Sequence, residues 1–79
     1  MAKSIHSRAN RVLLELLVKA RKTAVLTQEQ LARRLQRPQS FVAKYENGER
    51  RLDVVEFLRI ARETGTNAAA IIRAVDKAV

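Results

Sequence analysis

The sequence predicts an all-α domain, a compact five-helix bundle, and three observations carry that expectation. Apolar residues recur every three or four positions, with no alternating strand pattern. Two capping boxes, Thr27-x-x-Gln30 and Asp53-x-x-Glu56, mark helix starts. Pro38, Asn47-Gly48 and Gly65 then divide the chain where helices must stop or begin.

The first helix is expected from about Ser7 to Arg21, with Val12, Leu13, Leu16, Leu17 and Ala20 on its inner face. Leu14 and Val18 fall on another face, as a second contact surface or as exposed apolar residues. Thr27 and Gln30 open the second helix, whose inner face is Leu31, Ala32 and Leu35. Gln36 and Arg37 form the turn. Pro38 suits a first helical turn and no later position, so a third helix begins near it and runs to about Glu46. Its buried residues are expected to be Val42 and Tyr45, with Phe41 partly covered. Gly48 supplies the positive φ of a C-terminal cap. The fourth helix buries Val54, Phe57, Leu58 and Ala61 and ends at Gly65. Asn67 caps a fifth, with the stripe Ala68, Ile71, Ile72, Val75 and Val79.

At 79 residues the chain is read as one domain over 1–79, with 1–6 as a flexible arm that includes His6. A core of this size supplies roughly 3–5 kcal/mol. With no cysteine and one histidine, neither disulfides nor a metal is expected to add to it, and no cofactor is expected. The sequence has no nucleophile–base pair, paired-carboxylate pocket or phosphate-cradling glycine loop, so an enzyme is not expected. No apolar run approaches a membrane span or a signal peptide, which points to a cytoplasmic protein, nucleoid-associated in a bacterium or phage. Eleven Arg and five Lys against eight acids give a net charge of +8. That balance favours an anionic partner such as nucleic acid, although a basic surface can also serve solubility alone.

Residues 27–51, TQEQLARRLQRPQSFVAKYENGERR, sharpen the expectation. They read as two short helices joined by a tight turn, the second with a polar outer face. Together with VVEFLRIARETG, the stretches LTQEQLARRL and SFVAKYENGERR resemble the helix-turn-helix family of phage repressors and Cro proteins, the XRE family, over about Leu17 to Ile72. The resemblance implies a lambda-repressor-like domain. It also implies a third helix that enters the major groove and dimers that bind two half-sites of an operator.

Two positions depart from the family, which favours glycine where this chain has Val25 and Gln36. Gln36 is expected to accept positive φ at roughly 1 kcal/mol. Val25, being β-branched, is expected to avoid it and end the first helix differently. Ala32 sits where the family needs a small residue for the close crossing of the second and third helices.

By position, Gln39, Ser40, Ala43 and Lys44 are the base-reading candidates. Glutamine can bond an adenine edge and lysine can donate to guanine O6 and N7. Phe41 could rest on a thymine methyl or pack partly in the core. Gln28, at the N-terminus of the second helix, matches a phosphate-contact position. Asn47, Arg50, Arg51 and Arg37 are further backbone candidates, while one or two of Arg33, Arg34 and Arg37 are expected to reach phosphate. The resemblance pairs Arg21 with Glu46 as an ion pair tying two helices.

Surplus apolar surface at Val55, Ile60, Ile71, Ile72, Val75 and Val79 suggests a two-fold dimer, with its reading helices about 34 Å apart. The expected activity is therefore sequence-specific transcriptional regulation, most often repression, on double-stranded DNA, without a small-molecule ligand. The alternatives are an antitoxin-type or partner-binding protein built on the same domain, and a non-specific basic nucleic-acid binder.

Overall fold

The computed structural model describes residues 7–79 and forms five helices: α1 (Arg8–Thr23), α2 (Gln28–Leu35), α3 (Gln39–Glu46), α4 (Val54–Thr64) and α5 (Ala68–Ala78). The expected arm at 1–6, with His6, lies outside the described residues.

Local hydrogen-bond chemistry sets the starts. Ser7, Thr27, Asp53 and Asn67 each accept from the backbone N–H three residues on, at 3.1, 3.0, 2.7 and 2.9 Å. Caps of this kind contribute about 0.5–2 kcal/mol each. In both capping boxes the third helical residue also accepts from the cap's own N–H, Gln30 from Thr27 and Glu56 from Asp53. Pro38 occupies the cap position of α3, one residue ahead of the expected first turn, and offers no side-chain cap.

The first four helices end alike. A residue at positive φ reverses the chain, and two N–H groups bond back to orphaned carbonyls. After α2 this residue is Gln36 (φ 58), and after α3 and α4 it is Gly48 (φ 77) and Gly65 (φ 74). After α1 it is Val25 (φ 59), which corrects the expectation that a β-branched residue would avoid this region. Val25 N–H donates to Lys22 O at 3.0 Å and Leu26 N–H to Arg21 O at 3.1 Å. With Leu26 buried in the core, these bonds hold Val25 in the strained conformation.

The core gathers Leu14, Leu17, Leu26, Leu31, Leu35, Phe41, Val42, Tyr45, Phe57, Ile60 and Ile71. α1 lies against α3, α4 and α5, and α2 against α3 and α4. Several faces differ from expectation. Leu14 is in the core, because α1 must cover α3 as well as α5. In α4 the buried set is Phe57, Ile60 and Ala61, while Val54 and Leu58 are exposed. In α5 Ile71 is buried, Ala68 and Val75 pack at the core's edge, and Ile72 and Val79 are exposed. None of the helices is long and apolar enough to cross a membrane among the described residues.

Candidate nucleic-acid interface

α2 and α3 meet through a wedge built from both helices. Leu31 and Leu35 of α2 and Val42 and Tyr45 of α3 are buried, and Ala32 is 2% exposed. Beyond Ala32 the chain turns at Gln36, whose positive φ lets Arg37 N–H reach Ala32 O at 3.0 Å. α3 therefore leaves the turn with a fixed inner face, and its remaining residues form an outer one. Gln39, Ser40, Lys44 and Asn47 are exposed there and Ala43 is half-buried. These positions share one side of the helix at its 3.6-residue period.

Behind this face runs a chain of polar contacts. Arg21 donates from Nε to Glu46 Oε2 at 2.8 Å and from Nη2 to Oε1 at 3.1 Å, and its Nη1 reaches Leu26 O at 2.9 Å. Hydrogen bonding to Glu46 pushes the Arg21 pKa up. Gln28 Nε2 donates to Glu46 Oε1 at 2.8 Å, and Gln39 Nε2 donates to Gln28 Oε1 at 3.1 Å. The first residue of α2, the first and last of α3 and the end of α1 are thus joined. Sequence reasoning placed Gln28 at phosphate and missed its bond to Glu46, since the two lie 18 positions apart and share no local pattern.

A second cluster surrounds Phe41, which is 6% exposed. The Arg37 guanidinium lies 4.0 Å from its ring centroid and that of Arg50 lies 4.9 Å away. Both arginines bond Glu56: Arg50 at 3.0 and 2.9 Å, Arg37 at 3.4 Å. Glu56 is held far below the usual carboxylate range, at about 2, first by hydrogen bonds from Arg50, then from the Asp53 N–H and Arg37, against the opposing effect of desolvation. Of the two readings of Phe41, this lid favours core packing over a base contact. Its ring faces the core, where it meets Tyr45 edge-on at 5.4 Å, and the guanidiniums cover the rest. The capping box marked Glu56 as a helix start, but nothing in the sequence marked its second role as the hub of this cluster.

The other candidates are distributed around these clusters. Asn47 ends α3 and Nδ2 donates to Glu49 at 3.4 Å. Arg51 is exposed beside Arg50. Arg33 pairs with Glu29 at 3.8 Å on the outer side of α2, and Arg34 reaches Glu63 O at 3.3 Å. The Tyr45 hydroxyl is buried without a hydrogen-bond partner, and burial pushes its pKa up.

Of the surfaces expected to pair two copies, Ile60 and Ile71 are corrected: at 0% and 5% exposure they belong to the monomer's own core. Val75 packs against that core. Val55 and Ile72 are exposed at 66% and 51% and Val79 at 94%, and Val54 and Leu58 add to the apolar surface of α4.

The family model described as helix-turn-helix matches residues 17–71. Among solved structures, the chain is similar to an XRE-family like protein from Pseudomonas syringae pv. tomato str. DC3000, at 49% identity and a TM-score of 0.84, over 94% of this chain and 90% of that one. No curated protein matches.

Proposed function

The chain belongs to the XRE family of helix-turn-helix DNA-binding regulators, and from that premise we propose that it is a sequence-specific repressor binding a palindromic operator as a dimer. The observation that carries this reading is the outer face of α3. It is polar, continuous and backed by a fixed core, and its first residue, Gln39, is tethered to α2 through Gln28.

In this reading α3 lies in the major groove. Gln39 bonds an adenine edge, Lys44 donates to guanine, Ser40 reaches a base or a phosphate, and Ala43 lies against the groove floor. Asn47, Arg51 and the N-terminal end of α2 at Gln28 face the phosphates. Arg37 and Arg50 stand at the edge of this surface. Both are paired with Glu56, so a phosphate contact would compete with that carboxylate. The net charge of +8 supplies a sequence-independent attraction. Val54, Val55, Leu58, Ile72 and Val79 are apolar surface that a second copy would cover. A DNA partner supports a cytoplasmic, nucleoid-associated location.

Alanine substitutions read by binding to a panel of single-base operator variants test this reading. Gln39→Ala and Lys44→Ala each lose about 1–3 kcal/mol on the preferred site, and each relaxes preference at one base pair. Arg50→Ala instead weakens all sequences alike. The opposite pattern would place the reading face elsewhere.

A further inference from the structure

We propose that Glu46 is a specificity-positioning residue: it fixes the direction of the Gln28–Gln39 amide relay, and so sets which base Gln39 accepts. The proposal rests on the DNA-reading function above and adds a role for a residue that touches no base.

The argument is one of donors and acceptors. An ionised carboxylate only accepts hydrogen bonds. The Glu46 side chain is 6% exposed, so water cannot easily stand in for a missing partner. Arg21 holds it from one side with two bonds. Gln28 meets Oε1, the oxygen that also accepts from Arg21 Nη2, and must therefore present its NH2 group, as it does at 2.8 Å. The reversed amide would put Gln28 Oε1 against a carboxylate oxygen in a poorly solvated site, a repulsive contact.

With its NH2 turned inward, Gln28 offers Oε1 to the next residue, and Gln39 Nε2 donates to it at 3.1 Å. Gln39 is then left with one N–H and its own Oε1. That donor–acceptor pair complements adenine, which presents N7 as acceptor and N6–H as donor. It does not complement guanine, which presents two acceptors, N7 and O6. A partly buried acid at the far end of α3 thereby selects against guanine at its near end.

Glu46→Gln tests this, because it keeps the shape of the side chain and an oxygen for Arg21 while adding a donor. Keeping its oxygen on Arg21 Nε, the amide at 46 would put its NH2 at the Oε1 position toward Gln28, giving up the bond from Arg21 Nη2; the relay could then reverse, and Gln39 could present both N–H groups outward. The position read by Gln39 is first identified as the one whose preference Gln39→Ala abolishes. There the protein is expected to favour adenine over guanine by about tenfold or more, the discrimination of a bidentate contact. In Glu46→Gln that preference falls to about twofold or inverts, while preferences at all other positions are retained. A uniform loss of affinity with the adenine preference intact would overturn the proposal and reduce Glu46 to a helix tie. Gln28→Met removes the relay without touching the ion pair and serves if Glu46→Gln does not fold. It must lose the adenine preference at the same position, and retention there would equally overturn the proposal. If the unsubstituted protein shows no base preference anywhere, the DNA-reading function itself fails, a result separate from both.

Discussion

Arg21 and Glu46, 25 positions apart in the chain, meet at 2.8 Å with their side chains 11% and 6% exposed. The pair joins the end of α1 to the last residue of α3, so the angle of the reading helix is tied to the body of the domain. Its energetic character follows from its burial. The pair is partly buried, so removing one partner leaves an incompletely solvated charge and costs up to about 3–5 kcal/mol, the cost at full burial, whereas replacing both by apolar groups is often neutral. The single variant Arg21→Met is therefore expected to lose most of the stability of so small a domain in urea melts. Arg21→Met with Glu46→Leu recovers a midpoint close to that of the unsubstituted protein. Additive losses in the double variant would show that the two residues act independently.

Val25 is held at φ 59 while 85% exposed. The left-handed region costs an L-residue roughly 1–2 kcal/mol, and glycine avoids that cost while losing about 0.4–1 kcal/mol through greater freedom in the unfolded chain. Val25→Gly is expected to raise the melting temperature by a few degrees, since about 1 kcal/mol shifts a domain of this size by roughly 4–8 °C. A lowered melting temperature would mean that the Val25 side chain contributes more than its conformation costs.

Glu56 predicts a pH dependence with a definite sign. Its pKa falls from 4.5 to about 2 on folding, because Arg50, the Asp53 N–H and Arg37 bond the ionised form. A carboxylate with a depressed folded pKa stabilises above its unfolded pKa and loses that stabilisation as pH falls through the folded one. The contribution is thus complete above about pH 4.5 and fades toward about pH 2. Urea melts of the unsubstituted protein and of Glu56→Gln should differ most at neutral pH and converge through this window. A constant difference across it would remove Glu56 from the account.

How much of this was legible in the sequence depended on the range of the interaction. Thr27, Asp53 and Asn67 announced helix starts because a cap and its partner lie three residues apart. Leu31, Ala32, Leu35, Val42 and Tyr45 were legible because α2 and α3 are short and polar on one side. α4 was not. Val54, Val55, Phe57, Leu58, Ile60 and Ala61 surround most of its circumference, so periodicity could not choose between Leu58 and Ile60 for the core. The place of Phe41 stayed open because its cover comes from the guanidiniums of Arg37 and Arg50, which sequence patterns count as surface. Val25 was misread because local propensity was outweighed by the packing of Leu26 and the bonds back to α1. The relay from Glu46 through Gln28 to Gln39 crosses from α3 to α2 and back and has no local signature at all.

The proposed dimer concerns the apolar residues that the fold leaves uncovered. Val54, Val55 and Leu58 share a side of α4, Ile72 lies on α5 and Val79 follows its last residue. Because Val55 is 66% exposed, Val55→Glu should leave the monomer's melting temperature nearly unchanged while breaking association. Sedimentation at micromolar concentration should show a dimer that this change converts to monomer. A monomer at all concentrations in the unsubstituted protein would contradict a preformed dimer.

The central claim is that the outer face of α3 reads duplex sequence, and selection of bound duplexes from a random pool tests it most directly. The expected result is an enriched inverted repeat with half-site centres about 10 base pairs apart, one helical turn. Its affinity should fall about 10³-fold or more between roughly 50 and 200 mM salt if six or more phosphates are neutralised. Recovery of a pool with no enriched motif, bound by charge alone, would contradict the account.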